Sequence, residues 1–156
     1  MNQKKILIIR LEIIWWIFTS IILGGILYPI LTKIEGYPFL FSNIFFVVSF
    51  FTLTRYIFLL KHTLLAQREL LKIALIFLCI PLLFFLVKEL LFFRNYLDET
   101  GLETLVENKS LEEQNRMVRY IRSEMLFFGV GSVISGLLFP FRMLVSVWRV
   151  RNRGTV

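Results

Sequence analysis

Four long apolar stretches constrain this chain more than any other feature of its sequence. They cover residues 8–31, 37–60, 70–93 and 125–148. Because a helix needs roughly 20 residues to cross a hydrocarbon core about 30 Å thick, each stretch is long enough to span a membrane. Hydrophobic residues make up 57% of the chain and charged residues only 19%, which excludes an ordinary soluble domain. The sequence therefore predicts an all-α integral membrane protein, a single domain over residues 1–156 with four transmembrane helices in two antiparallel hairpins.

Residues 94–124 form the one long polar segment, and we expect them to fold as a helical hairpin outside the membrane, between spans three and four. Ser110 and Glu113 match a capping box, in which both side chains bond to free backbone N–H groups at a helix start. This pattern predicts a helix from about Leu111 that continues into the fourth span. A shorter helix is expected within residues 98–108.

Basic residues are distributed unequally between the two sides of this arrangement. The side with both termini and the 61–72 loop has 11 basic and two acidic residues, whereas the other side has seven basic and nine acidic residues. Since Lys and Arg in short loops set orientation, both termini are predicted to be cytoplasmic. The basic residues expected to anchor this side to lipid headgroups are Lys4, Lys5, Lys61, Arg149, Arg151 and Arg153. Topology thus explains the net charge of +7, and no nucleic-acid-binding motif accompanies it.

Three charged residues interrupt the apolar stretches at a similar depth near the cytoplasmic end: Glu12, Arg55 and Arg142. An isolated charge at a helix centre costs about 2.5–3.5 kcal/mol, whereas opposite charges inside a bundle offset one another. One interpretation is that Glu12 pairs with Arg55 or Arg142 and holds the bundle together. The alternatives are that the long side chains extend to the headgroups, or that the cluster serves transport or proton relay.

Small residues lie three or four positions apart on two of the spans. Ser20 and Gly24 are on the first span, and Gly129, Ser132 and Gly136 are on the fourth. Such residues let helix backbones approach closely, which promotes helix association in lipid. They predict a helix-packing contact, either between these two strips within one chain or between chains.

Residue types that carry catalysis or metal binding are scarce. Cys79 is the one cysteine and His62 the one histidine, so neither a disulfide within the chain nor a recognised metal site can form from them. No phosphate-binding loop or metalloprotease helix motif is present. The sequence therefore predicts no enzyme activity, no metal and no cofactor.

Together these features favour a non-catalytic accessory or structural subunit of a larger membrane complex. The expected partners are membrane lipids and other membrane-protein subunits, or further copies of the chain, with the polar segment as the docking surface. The alternative is a small homo-oligomeric transporter or channel. Short loops and an abundance of Phe, Ile, Leu and Lys are typical of a bacterial inner membrane, which is the predicted location.

Overall fold

The computed structural model describes residues 3–152, and the regular elements of this part of the chain are helices. The four α-helices are α1 (Gln3–Leu31), α2 (Leu40–Leu59), α3 (Glu69–Glu99) and α4 (Leu111–Arg151). Two short 3₁₀ helices, Leu60–His62 and Leu64–Gln67, connect α2 to α3, and a third, Glu103–Leu105, lies between α3 and α4. Each α-helix is long and apolar enough to cross a membrane.

The connection between α3 and α4 is shorter than predicted. Most of the polar segment belongs to α3 and α4, which continue into it from either side. The prediction of a separate helix within residues 98–108 is wrong, because only one 3₁₀ helix, Glu103–Leu105, lies between α3 and α4 in the described chain. Gly101 terminates α3, because its N–H donates to the Tyr96 carbonyl oxygen at 3.0 Å while its φ is +78°. A residue with a side chain would be strained at that angle, so glycine sets the helix end here.

Helix α4 is much longer than a membrane is thick. Its 41 residues extend about 60 Å at 1.5 Å per residue, roughly twice the hydrocarbon core. The predicted unbroken helix from about Leu111 through the fourth apolar stretch is confirmed.

The prediction of a capping box at the start of α4 is wrong. Ser110 has the extended backbone angles of an N-cap, but its side chain forms no capping hydrogen bond. The Glu113 carboxylate accepts a hydrogen bond from Lys33 Nζ instead. An ammonium donor bonds a carboxylate more strongly than a neutral backbone N–H does, which explains the change of partner.

Helix α4 packs against both α2 and α3. Its contacts with α2 follow the same residue order on both helices, from Asn43 with Glu124 to Thr54 with Ser135. Helices α2 and α4 therefore run in the same direction.

Contacts between α3 and α4 follow opposite residue orders. Leu90 lies against Gly129, and Leu83 lies against Gly136. Helices α3 and α4 are therefore antiparallel, and glycine permits the close approach at both positions.

Buried side chains form two clusters, one at each end of the bundle. In the cluster near the polar segment, Phe39 packs edge-to-face on Phe93 and Tyr96, with ring centroids 5.2 and 4.9 Å apart. The second cluster contains Leu53, Leu60, Leu65, Cys79, Phe139 and Met143.

Helix α1 is packed most loosely. The most apolar stretch of α1 is 11% buried, compared with 17% for that of α3 and 33% for those of α2 and α4. It contacts the other helices at separated points, among them Phe18 on Phe51, with ring centroids 6.4 Å apart. Most of its apolar surface therefore faces outward.

Candidate functional site

Glu12 and Arg55 lie in contact between α1 and α2. Arg55 Nη1 is 2.8 Å from Glu12 Oε2, and the two side chains are 5% and 13% exposed, respectively. The Arg55 guanidinium carbon also lies 5.2 Å from the ring centroid of Trp15, which is a cation–π geometry. An ion pair and an aromatic contact thus join the loosely packed α1 to the rest of the bundle.

Arg142, the third charge predicted for this cluster, contacts a different group. Its Nε donates to the carbonyl oxygen of Ile57 at 2.8 Å. Ile57 lies in the last turn of α2, where carbonyl groups lack donors within their own helix. The three predicted residues therefore separate into an ion pair and a helix-end contact.

A buried polar group near the polar segment was not identified from the sequence. Glu124 is 8% exposed and accepts a hydrogen bond from Asn43 Nδ2. Among the described residues, Asn43 Oδ1, Glu124 Oε2 and the Tyr37 hydroxyl are buried without a hydrogen-bond partner.

Lys72 is a second buried polar residue that the sequence analysis does not identify, although a seven-residue spacing marks it. The buried residues of α3 are Lys72, Cys79, Leu86 and Phe93. Residues seven apart return to the same face of a helix, so this pattern marks the packed side of α3. Lys72 belongs to that side, although the sequence places it in the 61–72 loop.

The small residues of α4 lie in the helix interface. A Cβ atom at Gly129 would lie 2.8 Å from a methyl carbon of Leu90, and one at Gly136 would lie 2.7 Å from a methyl carbon of Leu83. Ser132, between them, is fully buried and donates to the Gly129 carbonyl oxygen at 2.8 Å. These residues pack against α2 and α3.

The small residues of α1 do not meet those of α4 within the chain, so of the two alternatives only a contact between chains stays a prediction for the α1 strip. Ser20 and Gly24 are exposed, and a Cβ at Gly24 would meet no other part of the described chain within 4 Å apart from its own helix backbone. The Glu12 contact and buried Thr19, seven residues later, fix which face of α1 points inward. Gly24 lies about 140° around the helix from Thr19 and therefore points outward.

Cys79 supplies a hydrogen bond that α4 cannot make by itself. Pro140 has no N–H, so the Gly136 carbonyl four residues earlier lacks its usual donor. Cys79 Sγ donates to that carbonyl oxygen at 3.2 Å. The thiol thus satisfies a backbone group freed by a proline on the neighbouring helix.

The predicted lipid-anchoring residues that the structure describes lie at the end of the bundle opposite the polar segment. Lys61, Arg149 and Arg151 are exposed there, and Arg151 Nε is 3.8 Å from the Glu69 carboxylate. Arg153 and the side chains of Lys4 and Lys5 lie outside the described residues.

An open groove of about 550 Å³ lies on the first turns of α4. It is lined by Glu112, Asn115, Arg116, Arg119, Tyr120 and Ser123. Neither Arg116 nor Arg119 forms an ion pair or hydrogen bond with another described residue. The groove therefore presents two guanidinium groups that are available to a ligand or partner.

Within residues 3–152, no three His, Cys, Asp or Glu side chains are placed to hold a metal ion. What the arrangement offers is two cationic surfaces at opposite ends of α4 and a set of polar contacts between helices. No known protein family, characterised protein or solved structure matches the chain.

Proposed function

We propose that the protein is a non-catalytic accessory subunit of a larger membrane complex, held in the membrane by its four apolar helices. The observation that carries this proposal is the exposed groove on α4, where Arg116 and Arg119 lie beside Glu112. Arginine is favoured at protein interfaces because its planar guanidinium binds a carboxylate through two hydrogen bonds. An acidic surface on a partner subunit fits this groove.

The part of α4 that forms the groove is held in place by contacts with other parts of the chain. The Lys33–Glu113 ion pair ties its first turn to the connection between α1 and α2. The Tyr120 hydroxyl donates to the Ile26 carbonyl oxygen at 2.9 Å, and Ile121 is fully buried on the inner side. Because the backbone of the groove is already ordered, a partner that docks there loses little conformational entropy.

Polar side chains inside the bundle favour a structural role over transport. Several of them bond across helix interfaces: Glu12 with Arg55 at 2.8 Å, Ser42 with Glu89 at 2.5 Å, and Thr54 with Ser135 at 3.3 Å. In transporters, intramembrane polar groups typically line a substrate or ion pathway. Here these groups serve helix–helix contacts instead.

The proposed orientation places the α2–α3 connection and both termini in the cytoplasm of a bacterium, with the groove outside the inner membrane. The excess of 11 basic over two acidic residues at that end supports it. In whole cells, a membrane-impermeant maleimide should label Lys109→Cys at once, and Lys61→Cys only after permeabilisation. Native Cys79 is 2% exposed and gives little background. The reverse labelling pattern would contradict this orientation.

The function is tested by extracting the tagged protein from its native membrane in a polymer and identifying bound subunits by native mass spectrometry. We expect a stoichiometric partner, and we expect the double charge reversal Arg116→Glu/Arg119→Glu to release it. The matched control is Arg94→Glu/Lys109→Glu, which makes the same charge change on exposed residues outside the groove. This control should retain the partner.

Two results would refute the proposal. A homo-oligomer without foreign subunits would favour the small transporter or channel, and flux measured in proteoliposomes with Glu12→Gln would then be the next experiment. Equal loss of partner in both double variants would show that overall charge, and not the groove, governs association.

A further inference from the structure

A cleft of about 440 Å³ opens at the opposite end of the bundle, where the α2–α3 connection meets the last turns of α4. Four of its lining side chains are basic, namely Lys61, Lys72, Arg142 and Arg149, and Ser146 adds a hydroxyl. No acidic side chain of the described chain lines it. We call this site the basic cleft.

Lys72 is the buried cation of the basic cleft. It is 1% exposed, and its Nζ donates to the Ala66 carbonyl oxygen at 2.8 Å and to Ser146 Oγ at 3.1 Å. Both acceptors are neutral, and no carboxylate of the described chain lies within ion-pair distance of Nζ. Glu69, one turn earlier on α3, is paired with Arg151 instead. Buried charges are normally paired, and an ammonium has three donors, so Lys72 retains one donor and forms no ion pair with the described chain.

Arg142 is fixed in a way that leaves its terminal donors available. Its Nε is bound to the Ile57 carbonyl oxygen, which holds the guanidinium against the end of α2. Neither of its terminal NH₂ groups bonds to another described residue. A guanidinium held by one edge presents the other edge to an anion, and phosphate oxygens match that geometry.

Lys61 and Arg149 complete the site at its rim. Both are exposed, and neither forms an ion pair within residues 3–152. Apolar Leu60 and Val150 also line the cleft, so a ligand with both phosphate and hydrocarbon suits it better than a simple ion. Basic pockets between membrane helices on the cytoplasmic side recognise anionic lipid headgroups for the same reasons.

We propose that the basic cleft binds the phosphate group of an anionic phospholipid, with Lys72 and Arg142 on the phosphate oxygens and Lys61 and Arg149 at the rim. Free phosphate offers the same oxygens without the hydrocarbon, and the experiment below separates the two sources. This site differs from general anchoring because Lys72 and Arg142 are held in defined positions by neutral partners.

The test measures the melting temperature of the purified full chain in a neutral detergent at constant ionic strength. The added probes are short-chain phosphatidylglycerol, short-chain phosphatidylcholine and inorganic phosphate. A ligand that binds the folded state raises its stability in proportion to RT ln(1 + [L]/Kd). We expect phosphatidylglycerol to raise the melting temperature, and phosphatidylcholine and phosphate to have little effect at the same concentration.

Variants connect the effect to the cleft. The exposed rim pair Lys61→Gln/Arg149→Gln should weaken phosphatidylglycerol binding by about thirtyfold, since each basic residue near the headgroup contributes a factor of about five. Arg10→Gln/Arg68→Gln removes the same charge from the same end of the bundle but outside the cleft, and should bind normally. Arg142→Gln tests the inner part of the cleft, where Arg142 and Lys72 are proposed to contact the phosphate oxygens.

Each other outcome overturns the proposal. An equal shift with inorganic phosphate would make free phosphate the ligand, and an equal shift with phosphatidylcholine would show no recognition of charge. Equal weakening in both double variants would indicate nonspecific attraction to anionic lipid. If Arg142→Gln fails to fold, the two rim and control variants still decide the question, because their side chains are exposed.

Discussion

Replacing Arg55 by Met and Glu12 by Gln, singly and together, tests whether their contact stabilises the bundle. Arg55 is 5% and Glu12 13% exposed, so each single variant leaves one buried charge without this partner. Breaking a fully buried ion pair destabilises a protein by about 3–5 kcal/mol. Because this pair lies within about two turns of its helix ends, we expect the free energy of unfolding to fall by about 2 kcal/mol in each single variant.

The double variant should be slightly less destabilised than either single variant. It contains neither charge and loses the Arg55 contact with Trp15, for which we expect a total destabilisation of about 1.5 kcal/mol. The coupling energy between the two sites is then about 2.5 kcal/mol. An exposed pair on α3, Arg94 and Asp98 at 3.8 Å, is the control, with an expected coupling of about 0.3 kcal/mol.

Reversible unfolding by SDS in mixed micelles, followed by tryptophan fluorescence and circular dichroism, measures these free energies. A coupling energy below about 0.5 kcal/mol for Glu12 and Arg55 would refute the reasoning. That result would mean that both side chains reach the headgroup region and are solvated independently.

The same unfolding assay checks three further expectations. Gly136→Ala should lower stability by about 1–2 kcal/mol, because its Cβ would lie 2.7 Å from a Leu83 methyl carbon, whereas Gly24→Ala should be neutral or slightly stabilising; equal effects would contradict the packing described. Ser110→Ala should change stability by less than about 0.5 kcal/mol, since no capping bond is lost. A loss of about 1 kcal/mol, usual for an N-cap serine, would show instead that Ser110 caps α4. Asn43→Leu should destabilise by about 2 kcal/mol because the buried Glu124 carboxyl loses its donor, and a neutral result would mean that water already reaches that carboxyl.

The helices themselves could be predicted because their signal is local. Long apolar composition fixes where a helix able to span a membrane lies, and the absence of Gly and Pro between Leu111 and the fourth stretch fixes its continuity. The possible pairing of Glu12 with Arg55 is also accessible from the sequence, because both residues lie at a similar distance from the ends of their apolar stretches. The structure places these two in contact and Arg142 elsewhere.

What could not be predicted depends on neighbours from other parts of the chain. Lys33, from a different connection, takes Glu113 away from the backbone at the start of α4. The outward direction of Gly24 follows from the rotation of α1, which is set by contacts that the sequence of α1 alone does not encode. Lys72 is buried by helices from other parts of the chain, so the sequence alone places it in the 61–72 loop.

The thiol of Cys79 gives this protein an internal reporter of helix separation. Cys79 is the one cysteine of the chain, it is 2% exposed, and its hydrogen bond to Gly136 spans the α3–α4 interface. A thiol reagent can therefore react with it only when those two helices part, so the labelling rate at low reagent concentration measures the free energy of that opening in native conditions. Because α4 also carries the groove lined by Arg116 and Arg119 and half of the basic cleft, the same rate should slow when either surface is occupied.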